Sequence, residues 1–318
     1  MTLRPLIQNF DLFITSNIPG GGLGYVAVQD IPKGTLLFEE RPIFRLPEGV
    51  TESDVRNALA SQPPAFQQQF KTLFIGHQYL ANGPYLGRFR ANALPCGTGP
   101  IRQVRGNVQE VVVRKLAGLL PVASRFNHSC LPNVAFQWDS HEEVMRFYAA
   151  SDIPTAQELC IAYDVTSLLL TRADRRARLQ TICGFECHCP ACIVENRESD
   201  NRRLALYRAI VQPPQQGPAE TRVDFLSRRH AQICNALTLS KLENLSYYRE
   251  TLCFDGWKVA EEAGDRNNAM LWLEKASAAA ATVGGNHNAE VQRRLDAARA
   301  ALQTPNRQPY ILNCHLPQ

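Results

Sequence analysis

The chain has 318 residues, of which 45% are apolar and 20% are charged, and its formal net charge is +4 at pH 7. This length is enough for two domains with a sizeable core, and the composition is that of an ordinary globular protein. The weak positive charge argues against direct nucleic-acid binding, and the lack of any apolar run of about 18 residues argues against a membrane span.

The first 45 residues show strand and turn patterns. The glycine-rich run GGGLG at residues 20–24 precedes a short apolar stretch, and a second strand is predicted from Thr35 to Glu40. Between them, Pro32 and Gly34 suit the first central position and the exit of a tight turn. A similar pattern before the strand-like run ELCIAY has Ala156 in place of the glycine. We therefore expect the second turn to differ from the first or to be strained.

The middle of the chain alternates between helix and strand patterns. Residues 50–90 have helical spacing, with Ser53 as the expected N-cap, and indicate a helical insertion between strand-rich parts. Residues 85–110 are rich in glycine and proline, which predicts a long loop. Alternating stretches at 134–138 and 144–149 then predict a β-hairpin, and residues 168–181 predict a basic helix.

From about residue 200 the pattern becomes helical. Residues 247–302 predict three helices with breaks near Gly264 and Gly284, followed by an irregular tail. Large side chains facing alanine-rich surfaces suggest helical hairpins stacked in the tetratricopeptide manner. We expect this region to form one wall of a substrate cleft or a groove for a protein partner.

The cysteines indicate a metal site. No signal-peptide pattern is visible at the N-terminus, so we expect a cytoplasmic or nuclear protein with reduced thiols. In that setting the cluster Cys187-x-Cys189-x-x-Cys192 favours a structural zinc ion over a disulfide. The candidates for a fourth ligand are Cys130, Cys183 and His188.

Three further features carry little information when each is taken alone. The segment RFNHSCLPN at residues 125–133 is polar and turn-like, and a surface loop with a capping Asn127 and a solvated His128 would look the same. Tyr163 follows a strand-like run, where a tyrosine usually packs in the core or at an edge. The glycine run at 20–24 allows a close approach of backbone to a ligand, but it is equally typical of a flexible turn.

Taken in order, these motifs resemble the SET-domain methyltransferases. The resemblance covers about residues 10–192 and uses GGGLGYVAVQDIPKGTLL, SRFNHSCLPN, ELCIAYD and GFECHCPAC. The pairing of NHSC with a later CxCxxC run is specific to this family. Within the family the chain is most similar to the fungal SMYD-like branch. It lacks a MYND zinc finger, because Cys96 is the only cysteine between residues 45 and 120.

The resemblance implies an α+β fold in three parts. Residues 1–182 would form a β-rich SET domain of small sheets with a knot-like closure and a helical insertion at about 50–90. Residues 183–199 would form a zinc-binding post-SET segment. Residues 200–318 would form an α-helical, tetratricopeptide-like region.

The resemblance also implies a site. Tyr163 would be the catalytic residue, and one structural zinc ion would be bound by Cys130, Cys187, Cys189 and Cys192. The cofactor S-adenosylmethionine would be bound by Gly22, Leu23, Gly24, Tyr25, Asn127, His128, Tyr163 and Phe185.

The activity expected from this resemblance is methyl transfer to a lysine ε-amine of a protein substrate, by a monomer. Two alternatives stay open. One is a SET-type enzyme that methylates a small molecule or another non-lysine acceptor. The other is a catalytically inactive SET-fold protein that binds partners.

Overall fold

The computed structural model describes residues 6–105, 108–284 and 289–302. Its strands are β1 (Phe13–Ile18), β2 (Gly22–Ala27), β3 (Leu36–Glu40), β4 (Arg45–Pro47), β5 (Ala93–Arg105), β6 (Val108–Leu119), β7 (Asn127–His128), β8 (Val134–Asp139), β9 (Val144–Ala149) and β10 (Glu158–Ile161). Its α-helices are α1 (Glu52–Ala60), α2 (Pro64–Lys71), α3 (Pro84–Asn92), α4 (Arg172–Cys183), α5 (Pro190–Ile193), α6 (Arg197–Ile210), α7 (Arg222–Leu242), α8 (Arg249–Ala263), α9 (Arg266–Gly284) and α10 (Ala289–Leu302).

The strands form three small sheets. Their strand orders are β1-β2-β10-β7, β3-β9-β8 and β4-β6-β5. Between the first two sheets lies an aromatic core, in which Phe38 stacks on Phe126 and Phe147 with ring centroids 5.8 and 4.6 Å apart. Small sheets combined with many helices confirm the α+β class in its broad form. They also bring β7 beside β10, although about 30 residues of chain separate the two strands.

The predicted hairpin and the two related turns are present. β8 and β9 pair antiparallel around the turn that follows Asp139. In the turns, Gly34 has φ +85° and Ala156 has φ +68°. An alanine in this left-handed region costs about 1–2 kcal/mol, so the prediction of a strained second turn is confirmed.

The prediction of a long loop over residues 85–110 is wrong. That segment contains α3 and then the long strand β5, which pairs antiparallel with β6. Pro95 and Gly97 are absorbed by a break in register between Pro95 and Thr98, where Gly97 takes φ +73°. Glycine and proline mark an irregularity within a strand here, because β5 pairs with the valine-rich strand β6 on both sides of the break.

Two predicted helix boundaries also need correction. The N-cap of α1 is Thr51, not Ser53: the Asp54 N–H donates to the Thr51 hydroxyl, and the Asp54 carboxylate accepts from the Thr51 N–H at 2.8 Å. This reciprocal arrangement satisfies two backbone donors, which a serine two residues later cannot do. The basic helix predicted over 168–181 is split into a 3₁₀ turn at Val165–Leu169 and helix α4.

Helices α6 to α10 form the helical region, in which each helix packs against the next. The break after Ala263 matches the prediction, and Gly264 takes φ +74° as the C-cap of α8. The break predicted near Gly284 falls at residues 285–288, which lie outside the described residues. A Cβ at Gly256 would lie 2.4 Å from the Trp272 ring, so α8 and α9 approach each other closely there. Helix α9 also contacts β8 and β9. The predicted irregular tail, 303–318, lies outside the described residues.

Candidate active site

A cavity of about 1030 Å³ lies where the first sheet, the helices of the insertion and the loop after α4 meet. We call residues 184–192 the cysteine loop. Among the residues that line the cavity are Gly22, Leu23, Gln78, Tyr79, Asn127, His128, Glu158, Tyr163, Cys183 and Phe185. Residues from four distant parts of the sequence therefore line one cavity.

The strand pair β7–β10 positions Asn127 and His128. The two strands run parallel, with Asn127 opposite Cys160 and His128 opposite Ile161. The Ser129 N–H donates to the Ile161 carbonyl at 3.0 Å and extends this pairing. Asn127 Nδ2 donates to Glu158 Oε1 at 2.8 Å. Its side chain is thus held by the neighbouring strand, as a ligand-binding amide needs to be.

His128 connects the cavity with the cysteines. The Tyr163 N–H donates to His128 Nδ1 at 3.0 Å, so in the neutral ring Nε2 carries the proton. Nε2 lies 3.3 Å from Cys130 Sγ, where an N–H can donate to a sulfur. Burial lowers the pKa of His128 to about 4. At neutral pH the ring is therefore uncharged and donates towards the cysteine cluster.

Tyr163 places its hydroxyl inside the protein although the residue as a whole is 43% exposed. The hydroxyl donates to the Phe126 carbonyl at 2.7 Å. Burial raises the pKa of Tyr163, and the nearby Glu158 carboxylate raises it further. The residue thus stays a neutral phenol at any ordinary pH.

Three rings meet at this point. The Tyr163 centroid lies 5.4 Å from that of His128 and 6.2 Å from that of Phe185, and the His128–Phe185 distance is 5.9 Å. These are ordinary separations for interacting aromatic rings. They form a largely apolar wall with a phenol at its inner end.

The glycine run contributes in two different ways. Gly22 and Leu23 line the cavity directly. Gly24 is buried, and a Cβ there would lie 2.7 Å from Asn127 Nδ2 and 2.9 Å from Glu158 Oε1. The missing side chain is what allows the Asn127 amide to sit against the strand. Tyr25 points the other way: it lies in the aromatic core, and its hydroxyl donates to the Val122 carbonyl at 2.9 Å.

The four cysteines predicted to bind metal lie together. The sulfurs of Cys130, Cys187, Cys189 and Cys192 are all within 4.8 Å of one another, and three of these residues are buried. Cys130 Sγ is 4.0 Å from Cys187 Sγ and 3.6 Å from Cys192 Sγ. Tetrahedral zinc with bonds of about 2.3 Å separates its sulfurs by about 3.8 Å, whereas a disulfide needs about 2.05 Å. The donor set therefore fits a metal ion, and Cys183 and His188 are not part of it.

Several residues that shape the site escaped sequence reasoning. Glu158 orients Asn127, and its position at the start of the strand-like run ELCIAY was the only signal. Tyr79 and Gln78 come from the insertion: the Tyr79 hydroxyl donates to the Ile182 carbonyl at 2.9 Å, and Gln78 lies against Gly184. Nothing in the sequence pairs residues about 100 positions apart in this way.

Comparison with known proteins agrees with this geometry. Residues 22–164 match the SET domain family, and this range includes β2, β7, β10 and Tyr163. The chain carries a SET domain. The matched range ends before the cysteine loop, so the SET domain supplies the sheet side of the cavity and Cys130. The remaining three cysteines come from the segment that follows it.

Relatives of this SET domain have methyltransferase names. The chain is 32% identical over 193 residues to "Histone-lysine N-methyltransferase set5" of Schizosaccharomyces pombe, covering 59% of this chain and 54% of that protein. It is 32% identical over 100 residues to mouse "Protein-lysine N-methyltransferase SMYD4", covering 31% of this chain and 12% of that protein. For mouse "Protein-lysine N-trimethyltransferase SMYD5" the values are 34% over 80 residues, 25% and 19%. The chain thus spans about half the fission yeast relative and smaller parts of the mouse ones.

The described helices were compared with the length and apolarity that a membrane-spanning helix needs. None of those in residues 6–105, 108–284 and 289–302 is both long enough and apolar enough to cross a bilayer.

Proposed function

We propose that this chain is an S-adenosylmethionine-dependent methyltransferase that acts on the ε-amine of a lysine in a protein substrate. The observation that carries the proposal is the convergence of Asn127, His128, Tyr163 and Phe185 on one cavity beside the glycine turn. The names of the relatives support the same reaction. The enzyme itself is proposed to act in the cytoplasm, the nucleus or both.

The cofactor is proposed to bind between the glycine turn and Phe185. Asn127, held by Glu158, presents an oriented amide, and Gly22 and Leu23 offer backbone close to the cavity. The His128 N–H donates a hydrogen bond to Cys130, and the neutral ring lines the cofactor site without adding a charge to it. Tyr25 supports the turn from the core. When bound, S-adenosylmethionine supplies a methyl group already activated on a sulfonium sulfur.

Tyr163 is proposed to orient the reacting groups without exchanging a proton. The Tyr163 hydroxyl donates its hydrogen bond to the Phe126 carbonyl, and its raised pKa keeps the phenol neutral. The oxygen lone pairs can then accept weak C–H···O contacts worth about 0.5–1 kcal/mol each. Holding two reactants aligned about 3 Å apart accounts for much of the remaining rate enhancement.

The substrate amine must lose its proton before it can attack, because a free lysine has a pKa of about 10.4. The rings of Tyr163, His128 and Phe185 form a surface that solvates an ammonium group poorly. Such surroundings favour the neutral amine, which is the nucleophile. The chain needs no covalent nucleophile of its own for this reaction.

A structural zinc ion is proposed at Cys130, Cys187, Cys189 and Cys192, where it would fix the cysteine loop and hence Phe185. The four thiols suit a closed site without a catalytic position. The proposed division is a SET domain at 1–182, a post-SET segment at 183–199 and a tetratricopeptide-like region at 200–318. That last region is proposed to hold the protein substrate or a partner of a monomeric enzyme.

The test is transfer of a labelled methyl group from S-adenosylmethionine to protein extracts and histones. We expect labelled lysines with the wild type, and a loss of about tenfold or more for Tyr163→Phe with cofactor binding retained. Tyr247→Phe is the matched control, because Tyr247 is 41% exposed and does not line the cavity. Cofactor binding without labelling of any protein would contradict the proposal and support an interaction protein. Labelling confined to small molecules would support the other alternative.

A further inference from the structure

Two arginines beside the cysteine cluster are buried almost completely. Arg175 on α4 and Arg203 on α6 each have 1% of their surface exposed. Burying a guanidinium is costly unless charge and hydrogen bonds compensate for the lost water. Their surroundings therefore show what these charges interact with.

Arg203 binds the segment that carries Cys130. Its Nη1 and Nη2 each lie 3.4 Å from the Cys130 carbonyl oxygen, and Nη1 donates to the Leu168 carbonyl at 2.6 Å. Its Nε donates to Glu243 Oε2 at 2.8 Å. One residue of the helical region thus holds the backbone of a cluster cysteine.

Arg175 binds the cysteine loop. Its Nη1 donates to the Leu170 carbonyl at 2.7 Å, and its Nη2 donates to the Ala191 carbonyl at 2.9 Å, next to Cys192. Its Nε is buried and has no hydrogen-bond partner among the described residues. Burial lowers the pKa of Arg175, but interactions with Cys192 and Cys130 more than compensate and contribute to raising it above the ordinary value.

The two buried guanidiniums differ in the burial of their carboxylate partners. Arg175 and Arg203 are close enough to repel each other, and Glu243, at 5% exposure, pairs with Arg203 at 2.8 Å. Asp200 is partly exposed and lies 3.5 Å from Arg175. Arg203 thus has a buried partner, whereas the partner of Arg175 is more distant and shared with solvent, and a further buried anion beside the two guanidiniums would stabilise both. Zinc held by four thiolates is a dianion, whereas four thiols are neutral.

We propose that Arg175 and Arg203 are the counter-ions of the metal–tetrathiolate centre, and that the helical region completes that centre through Arg203. The cluster is then held from four parts of the chain: the segment with Cys130, the cysteine loop, α4 through Arg175, and α6 through Arg203. This inference rests on the proposed zinc ion and is independent of methyl transfer.

The experiment measures zinc content and the rate at which zinc passes from the full-length protein to a chromogenic chelator. The variants are Arg203→Met, Arg203→Lys and Arg175→Met. Arg229→Met is the matched control, because Arg229 is also a buried arginine of the helical region, 6% exposed. It pairs with Asp255 at 3.1 Å and makes no hydrogen bond or ion pair to the four cluster cysteines or their neighbours among the described residues. Global stability of every variant is measured by chemical denaturation.

We expect Arg203→Met and Arg175→Met to release zinc about 10- to 100-fold faster than the wild type, as with other residues that support metal ligands. Arg203→Lys keeps the charge and is expected to stay within a few-fold of the wild type. Arg229→Met is expected to lose stability without faster release. Equal release rates for Arg203→Met, Arg229→Met and the wild type would overturn the inference. A wild-type protein without zinc would overturn the proposed metal and this inference, but would leave the methyl-transfer assay to decide the reaction.

Discussion

The two sides of the cavity are held by different kinds of interaction. The sheet side carries Asn127 and His128 on β7, and backbone pairing with β10 fixes both. The side formed by the cysteine loop carries Phe185 and has little regular structure apart from the short helix α5. Its contacts include the cluster of four sulfurs, the bonds from Arg175 to the Ala191 carbonyl and from Arg172 to the Cys192 carbonyl, and Gln78 of the insertion against Gly184. The sheet side should therefore keep its shape without metal, and the cysteine loop should not.

The largest expected effect follows removal of the metal. We expect chelation, or Cys187→Ser, to weaken binding of S-adenosylhomocysteine about 100-fold, because Phe185 loses its position while Asn127 keeps its own. Calorimetry measures this directly. Cys253→Ser is the control, since it removes a buried thiol outside the cluster. Unchanged binding after chelation would mean that the cysteine loop does not depend on metal.

A second prediction concerns the sheet side alone. Glu40 accepts the Val122 and Ala123 N–H groups at 2.9 Å, just before β7, and burial raises its pKa to about 7. Between the ordinary pKa of 4.5 and about 7 the folded state binds more protons than the unfolded state, so this contribution to stability falls as pH rises.

Relative to Glu40→Gln, the wild type should lose about 2 kcal/mol of unfolding free energy between pH 5 and pH 7. Urea denaturation at the two pH values measures the difference. We expect the same result with and without chelator. A loss of unfolding free energy that appears only in the metal-free protein would mean that the stability of the sheet side depends on the metal.

Gly24→Ala tests the sheet side of the cavity by adding one methyl group beside the Asn127 amide. The added Cβ would lie 2.7 Å from Asn127 Nδ2, which must then move away from its partner Glu158. We expect cofactor affinity to fall about tenfold, with a stability loss of about 1–3 kcal/mol. Gly217→Ala is the control, because its Cβ would meet only Glu220 at 3.6 Å or more. Normal affinity in Gly24→Ala would mean that the Asn127 amide does not contribute to binding.

The smallest effect concerns the bond from the insertion to the end of α4. Tyr79→Phe removes a 2.9 Å hydrogen bond to the Ile182 carbonyl, worth about 0.5–1.5 kcal/mol. We expect faster amide hydrogen exchange at residues 182–186 and no change in β7 or β10. If exchange rose equally at residues 182–186 and in β7 and β10, the two sides of the cavity would not be held independently.

The sequence identified the parts of the site that depend on local chemistry. The cysteine spacing predicted a metal cluster, and the geometry now prefers Cys130 to Cys183 as its fourth member. The motif order led to the SET domain, and the hairpin around Asp139 followed from simple alternation.

Features that depend on the local setting of a residue in the fold were missed. β5 looked like a loop because it contains several glycines and prolines, yet it pairs with the next strand, β6, from Ala93 to Arg105. Tyr25 was expected at the cavity, yet the alternation of side chains along β2 turns it into the core beside Phe126. The burial of Arg175 and Arg203 could not be foreseen, because arginines on helices normally face solvent. Tetratricopeptide-like stacking of the helical region stays a prediction.

The most direct test compares amide hydrogen exchange in the zinc-loaded and chelated protein. The account predicts that exchange rises strongly in the cysteine loop, residues 184–192, and stays slow in β7 and β10, whose pairing needs no metal. Equal loss of protection in both regions, or no change in the loop, would contradict the claim that metal holds one side of the cavity and backbone pairing the other.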